Sequence, residues 1–140
     1  MRSLLIASCA ALALMSGCVR YVYGISETVS STPVPDVSGP WNTKWIGGGD
    51  YVAVVTMVQQ GERVTATYTT TARPEPGVEG TIEGSFEGTI TGNELRGRWD
   101  EGGDRYGRMR FVFRADGHSF EGTWGHGDQD DDGGEWDGTR

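Results

Sequence analysis

A run of acidic residues near the end of the chain has the residue types and spacing of a calcium ligand set. Its candidate ligands are Asp128, Asp130, Asp132 and Glu135. Ca²⁺ prefers about six to eight oxygen ligands, and alternating carboxylates before a sharp glycine turn can converge on one ion. Thr139 stands where a helix-flanked calcium loop has its bidentate Glu, so that Glu135 or Asp137 would have to complete the shell. The alternative is a solvated, self-repelling hairpin loop, because blocks of like charge are usually mobile.

The histidines and the other carboxylates do not suggest a catalytic set. His118 and His126 are the only histidines, and His118 directly follows an Asp-Gly turn. No serine lies in a nucleophile elbow, and no glycine-rich phosphate loop opens a helix. Neighbouring carboxylates such as Asp100 and Glu101 are common, but a glycosidase needs two at a defined separation with one raised pKa. We therefore expect a protein that does not catalyse.

Cys18 is the residue most open to covalent modification. It follows a basic start, an apolar run from Leu4 to Leu14, and the residues Met15-Ser16-Gly17. This order is typical of an export signal, and the run is about half of the ~20 residues needed to span a bilayer. The alternative is a soluble secreted protein in which Cys18 is incidental.

The residues before Cys18 resemble the lipobox of bacterial lipoproteins, with Met15 where Leu is usual. The resemblance implies cleavage after residue 17 and acylation of the sulfur and new amino group of Cys18, so that the lipid anchors the protein in a membrane. Because Val19 rather than Asp follows the cysteine, the resemblance to the Gram-negative sorting pattern implies release to the outer membrane. The domain could then face the periplasm or the cell surface.

Composition excludes several functions for the mature chain. Removal of residues 1–17 takes away Arg2 and leaves eleven Lys and Arg against twenty Asp and Glu, a net charge of −9. This acidity argues against nucleic acid as a partner, because its binders concentrate positive charge. Cys9 is lost with the signal and Cys18 becomes the lipid site, which excludes a disulfide framework and a cysteine nucleophile.

Residues 18–37 and 38–140 differ in pattern. The first segment has no sustained periodicity and gathers Ser, Thr and Pro, which predicts a flexible tether with a reach of about 25 Å. The second alternates short apolar strands with glycine-rich turns, which predicts an all-β antiparallel meander. The candidate strands are Trp41–Ile46, Tyr51–Gln60, Arg63–Ala72, Val78–Glu83, Ser85–Thr91, Glu94–Asp100, Tyr106–Arg114, His118–Gly125 and Glu135–Arg140. If Val78–Thr91 is one strand bent at Gly84, the domain is a small up-and-down barrel of eight strands.

A five-residue pattern recurs in these strands: large apolar, polar, small, polar, large apolar. It appears in Val64–Tyr68, Val78–Ile82, Phe86–Ile90, Leu95–Trp99 and Phe120–Trp124. The first, third and fifth positions share one face of a strand. The small residue is expected to leave a slot for an aromatic ring of a neighbouring strand, as in narrow barrels. Trp99 and Trp124 then either belong to the core or line a ligand cavity.

The two ends of the domain resemble the calycin superfamily, which contains the lipocalins and avidins. Gly39-Pro40-Trp41 opens the first strand and Arg140 ends the last. The resemblance implies that Arg140 covers the Trp41 ring and closes one end of the barrel, with a cation–π component.

The stretch from Val37 to Thr71 is most similar to avidin, in which the open end of the barrel binds biotin. The resemblance implies that Tyr68 and Thr70 make polar ligand contacts, and Trp99 and Trp124 could supply ring walls. Thr43 replaces the expected Asn, and the loop after the first strand lacks the expected Ser. These departures speak against biotin itself, and a fold does not determine a ligand.

The strand Tyr51–Gln60 is apolar on both faces, with Val52, Val54 and Val58 on the face opposite Ala53 and Val55. In a small barrel one face must point outward, so these valines indicate a dimer or partner surface, unless the tether covers them.

The sequence thus predicts a non-catalytic outer-membrane lipoprotein whose barrel binds or scaffolds within the cell envelope. One alternative is an avidin-like or lipocalin-like small-molecule binder at the barrel mouth. Another is an inhibitor of an envelope enzyme that presents the acidic loop to a basic cleft. No cofactor is expected unless the acidic loop binds Ca²⁺.

Overall fold

The computed structural model describes residues 33–47, 49–72 and 80–140. Their strands are β1 (Gly39–Ile46), β2 (Asp50–Gln60), β3 (Arg63–Ala72), β4 (Thr81–Thr91), β5 (Glu94–Asp100), β6 (Tyr106–Phe113), β7 (Ser119–His126) and β8 (Gly134–Thr139). Each strand pairs antiparallel with the next, and β8 pairs with β1 to close a barrel. This confirms the predicted all-β, up-and-down barrel of eight strands. None of the described residues forms a helix long and apolar enough to cross a membrane.

The strand boundaries follow the alternation of inward and outward residues. Within the region from 78 to 91, Thr81–Thr91 form a single strand, so Gly84 lies inside β4 and does not separate two strands. Strand β2 shows how the pattern fixes register, because Val55 is fully buried between Val54 and Thr56, which face outward. A shift of one residue would exchange the two faces.

The outward valines of β2 are about half exposed. Val52, Val54 and Val58 retain 52%, 53% and 51% of their accessible surface. Along the same outer row of β2, Thr56 is also exposed. The β2 face predicted as a partner surface is therefore accessible in the described barrel.

Glycines provide the space for large rings inside the barrel. A Cβ at Gly122 would lie 2.5 Å from Phe111 Cδ1, and a Cβ at Gly138 would lie 2.2 Å from Phe120 Cε1. Real Cβ contacts are not this short, so each ring occupies the space that a side chain would need. Gly122 is the small residue of the Phe120–Trp124 unit, so the slot expected in that unit is present and faces the Phe111 ring.

Gly88 and Gly97 are the small residues of two other five-residue units, but backbone atoms rather than an aromatic ring lie next to them. They lie opposite each other in the β4–β5 pair. A Cβ on Gly88 would lie 2.3 Å from the Arg96 carbonyl oxygen and 2.8 Å from Gly97 Cα. The physical reason for glycine here is close approach of two strands, which increases local curvature.

One end of the barrel is closed by its first and last residues. The guanidinium of Arg140 lies 4.6 Å from the centre of the Trp41 ring. It also donates hydrogen bonds to the carbonyl oxygens of Gly117, Ser38 and Asp36 at 2.7, 2.9 and 2.7 Å. The structure therefore brings together the two residues expected to seal the barrel.

The segment before β1 belongs to this closed end. Val37, which the sequence assigned to the tether, is fully buried, and its carbonyl oxygen accepts a hydrogen bond from Trp41 Nε1 at 2.9 Å. Its own amide donates to the side chain of Gln59 at 2.8 Å. The barrel's packing thus begins before residue 38, because Val37 covers the opening below Trp41.

Substitution of Gly88 by Ala should destabilise the barrel, since the new methyl group would meet backbone that cannot rotate away. We expect a loss of about 1–3 kcal/mol in the free energy of unfolding, seen as a fall of roughly 4–8 °C in Tm per kcal/mol. Gly80→Ala is the control, because a Cβ at Gly80 meets no described atom within 4 Å. Equal Tm values for the two variants would contradict the proposed close approach of β4 and β5.

Candidate functional site

A cavity of about 450 Å³ opens at the end of the barrel opposite Trp41. In an up-and-down barrel, the ends of the odd strands and the starts of the even strands share one rim. The cavity is accordingly lined by Trp45 at the end of β1, Trp99 at the end of β5 and Trp136 near the start of β8. We call this opening the mouth.

Six tryptophan and tyrosine side chains of the described residues line the mouth, and they form two groups by ring contact. They are Trp45, Tyr51, Tyr68, Trp99, Trp124 and Trp136. In the first group Trp45 stacks on Tyr51 at 5.3 Å and meets the Trp136 ring at 5.0 Å. In the second, Trp99 and Trp124 meet edge to face at 5.7 Å. Aromatic surface of this extent favours an apolar or aromatic ligand body.

The rings of the second group are held in place by hydrogen bonds and by glycines. Trp99 Nε1 donates to the Gly125 carbonyl oxygen at 2.9 Å, and Trp124 Nε1 donates to the Ile46 carbonyl oxygen at 3.3 Å. A Cβ at Gly133 would lie 2.5 Å from the Trp124 ring. The loop before β8 therefore packs its backbone directly on this ring, and Trp124 has a fixed orientation.

The polar centre of the mouth is Glu101, whose side chain is only 7% exposed. Its Oε1 accepts a hydrogen bond from the hydroxyl of Tyr68 at 3.0 Å. Its Oε2 lies 2.6 Å from Arg105 Nη2, but the guanidinium is not aligned for a hydrogen bond. Oε2 consequently accepts no hydrogen bond from any described residue.

Tyr68 acts as a neutral donor in this arrangement. Burial, and after it the negative charge of Glu101, raise the pKa of the Tyr68 hydroxyl well above its ordinary value. The hydroxyl therefore keeps its proton at physiological pH and orients the carboxylate of Glu101.

A residue that lines the mouth carries a second buried polar atom without a hydrogen bond. Trp136 Nε1 is buried and donates to no described atom. Buried polar groups are hydrogen-bonded in the large majority of cases, and an exception calls for an explanation such as a binding role. The mouth residues thus carry one buried acceptor, ion-paired with Arg105, and one buried donor that have no hydrogen bond within the described chain.

Three of the four ligand contacts suggested by the sequence lie at this site. Tyr68, Trp99 and Trp124 line the mouth. Thr70 does not: it is fully buried, and its hydroxyl accepts a hydrogen bond from the Ile82 amide at 2.9 Å and donates to the Ile82 carbonyl oxygen at 3.3 Å. Both its donor and an acceptor function are used within the sheet, so Thr70 stabilises the β3–β4 pair.

Sequence reasoning did not assign Trp45, Glu101, Arg105 or Trp136 to the ligand site. A signal existed for Trp45, because it shares the inward face of β1 with Trp41 at an even spacing. Glu101 and Arg105 follow the end of β5 in a turn, where no periodicity shows which side chains point toward the barrel axis.

The described structure does not gather the carboxylates of the acidic loop into the ligand group that the sequence predicts. Asp128 accepts a hydrogen bond from Arg108 at 3.1 Å, and Asp130 accepts one from Arg96 at 3.2 Å. Asp132 caps the loop instead, because its Oδ1 accepts the amide of His126 at 2.7 Å.

Glu135, the fourth candidate ligand, lies exposed on β8. Within the described ranges, no group of three or more His, Cys, Asp or Glu side chains could hold a metal ion. The physical reason is that arginines on neighbouring strands compete for the carboxylates, and a single stretch of sequence cannot reveal such partners. Cys18 lies outside the described residues.

Millimolar Ca²⁺ should leave the thermal unfolding of the protein nearly unchanged relative to EDTA. A site filled to a hundred times its dissociation constant would add about 2.7 kcal/mol, equivalent to a rise of at least ~10 °C in Tm. In calorimetric melts, the Tm of the wild type should therefore be the same in Ca²⁺ as in EDTA, and so should the Tm of Asp130→Asn. A rise of that size in the Tm of the wild type, absent from the variant, would show that the acidic loop binds Ca²⁺.

Comparisons of the chain with protein-family models, with curated proteins and with solved structures give no match. What the barrel does must be inferred from the geometry and chemistry of its mouth.

Proposed function

We propose that this barrel is the ligand-binding domain of a lipid-anchored protein of the cell envelope, and that it binds a small molecule with an apolar or aromatic body at its mouth. The observation that carries the proposal is the cavity of about 450 Å³ lined by six aromatic rings. Its volume lies within the range of about 300–1,000 Å³ that is common for small-molecule sites.

The contrast between the two ends of the barrel supports this function. At the closed end Phe111 and Phe120 stack at 4.4 Å, and Phe120 contacts the Trp41 ring at 5.4 Å. These rings fill the width of the barrel. At the mouth the rings line a wall and leave a cavity between them. Since close packing normally stabilises a core, an aromatic wall around open space favours a binding role over a purely structural one.

The polar groups favour binding over catalysis. Among the residues that line the mouth, the one buried carboxylate, Glu101, has its hydrogen-bonding neighbour in Tyr68 and its ionic neighbour in Arg105. Glu101 therefore suits recognition of a polar group on a ligand, and no activated nucleophile stands beside it among the described lining residues.

Attachment through Cys18 would keep the binding domain near the membrane. The export signal and the residues before Cys18 support acylation, and the segment from Cys18 to the first packed residues is long enough to hold the barrel clear of the bilayer. The sequence after the cysteine favours the outer membrane. We propose that the molecule is a tethered receptor for a small ligand and that its barrel is of the calycin type.

A neutral fluorescent probe tests the mouth directly. N-phenyl-1-naphthylamine should bind the full mature chain carrying Cys18→Ser, with increased probe emission and quenching of tryptophan emission. Trp124→Leu should weaken binding about tenfold or more, equivalent to ~1.4 kcal/mol, because it removes one ring wall. The control is Tyr106→Leu, which truncates an exposed aromatic residue that does not line the mouth. Equal binding by the two variants, or no binding by the parent, would reject the proposed site.

The lipid anchor is tested separately in the full chain expressed in a Gram-negative cell. Cys18→Ala should abolish incorporation of an alkynyl palmitate analogue and move the protein from the membrane fraction to the soluble fraction. Cys9→Ala is the matched control, since it changes the other cysteine of the chain and should retain the label. Label on the Cys18→Ala protein, or none on the parent, would contradict acylation at Cys18.

A further inference from the structure

We propose that the mouth binds an organic cation, an amine or guanidine attached to an apolar or aromatic body, and that Arg105 occupies the place of that cation from within the chain. This inference rests on the proposed function, because it names the class of molecule that the mouth recognises. The anchor for the cation is the carboxylate of Glu101.

The charge of the mouth favours a cationic ligand. Among the described residues, the charged groups that line it are three carboxylates and one guanidinium, from Glu101, Asp104, Asp132 and Arg105. The whole chain carries a formal net charge of −8. Both the local and the overall field therefore attract cations and repel anions.

Glu101 has one carboxylate oxygen that is ion-paired with Arg105 but accepts no hydrogen bond. Its side chain is more than nine-tenths buried, and Oε2 accepts no hydrogen bond from the described residues. A buried carboxylate is costly unless it is paired and hydrogen-bonded. Tyr68 donates a hydrogen bond to Oε1. An ammonium or guanidinium N–H directed at Oε2 would give the second carboxylate oxygen its hydrogen bond as well.

Arg105 shows where the cation would lie. Its Nη2 is 2.6 Å from Glu101 Oε2, yet its side chain is 62% exposed. The guanidinium therefore meets the carboxylate from the solvent side and keeps much of its hydration. Because the Arg105 side of this pair is exposed, a ligand that brings both charge and apolar surface can displace Arg105 without leaving the buried carboxylate unpaired.

The turn between β5 and β6 allows this exchange without a change in its backbone. The Glu101 amide donates to the Arg105 carbonyl oxygen at 2.9 Å, and the Arg105 amide donates to the Gly102 carbonyl oxygen at 3.1 Å. These bonds fix both Cα positions. Only the Arg105 side chain has to rotate away, which exposed side chains do in picoseconds to nanoseconds.

The ring walls complete the recognition of a cation. A cation over an aromatic face is attracted to the ring, and Trp is the most favourable partner. Trp45, Trp99, Trp124 and Trp136 all line the cavity that Glu101 borders. A ligand with a charged head at Glu101 and an aromatic body between the rings would therefore use both features of the mouth.

Three ligands of matched shape test the proposal by isothermal titration calorimetry on the full mature chain carrying Cys18→Ser. They are 2-(2-naphthyl)ethylamine, 2-(2-naphthyl)ethanol and 3-(2-naphthyl)propionate. The amine should bind at least tenfold more tightly than the alcohol, and the propionate most weakly. Arg105→Gln should tighten the amine several-fold, since the internal competitor is removed. Glu101→Gln should abolish the preference for the amine over the alcohol.

Glu87→Gln is the control variant, because Glu87 is an exposed acid on β4, paired with Arg63, and does not line the mouth. It should keep the wild-type order of the three ligands. Equal affinity for amine and alcohol in the wild type would overturn the cation inference and leave the proposed small-molecule site standing. Tightest binding of the propionate, lost in Arg105→Gln, would also overturn it and make Arg105 the anchor for an anion. No binding of any ligand would reject both this inference and the proposed function.

Discussion

The width of a closed eight-stranded barrel is the constraint on which the rest of this structure depends. Such a barrel has an interior only just wide enough for side chains to fill or for one small ligand to enter. At the closed end the chain fills that width with stacked rings, and Gly122 and Gly138 supply the space for them. At the mouth the width is the same, but the rings line the wall. The same barrel width therefore accommodates a packed aromatic core at one end and an open cavity at the other.

The closed end also has to hold the seam between the first and last strands. The β1–β8 pair has four residue partners, from Asn42 with Thr139 to Trp45 with Trp136, whereas β1 and β2 share eight. This pairing joins residues about a hundred positions apart, which carries a large loop-closure entropy. Arg140 compensates, because its guanidinium binds three backbone carbonyls and the face of Trp41.

Local sequence was sufficient for the strands but not for the groups that meet across them. Alternation and glycine turns predicted β3 and β5 to the residue, since each signal lies within one short stretch. The carboxylates of Asp128 and Asp130 instead meet arginines of β5 and β6. Glu101 reaches its position through a turn, whose side-chain directions no periodicity encodes. Trp99 could be predicted as a ligand contact, because its inward direction follows from the alternation along β5 and the inward residues at this end of the barrel line the mouth.

The strongest sign of function is an energetic mismatch at Glu101. Replacing a buried ion pair by well-packed apolar residues is often neutral or stabilising, and the mouth already has aromatic rings that such residues could join. The chain instead buries a carboxylate, gives it one hydrogen bond from a tyrosine held in its neutral form, and leaves Oε2 to an ionic contact with an exposed arginine. A stability argument alone does not explain this choice. The proposed recognition of a cationic ligand would explain it, because an acceptor without a hydrogen bond, inside an aromatic wall, favours a charged ligand over a neutral molecule of the same shape.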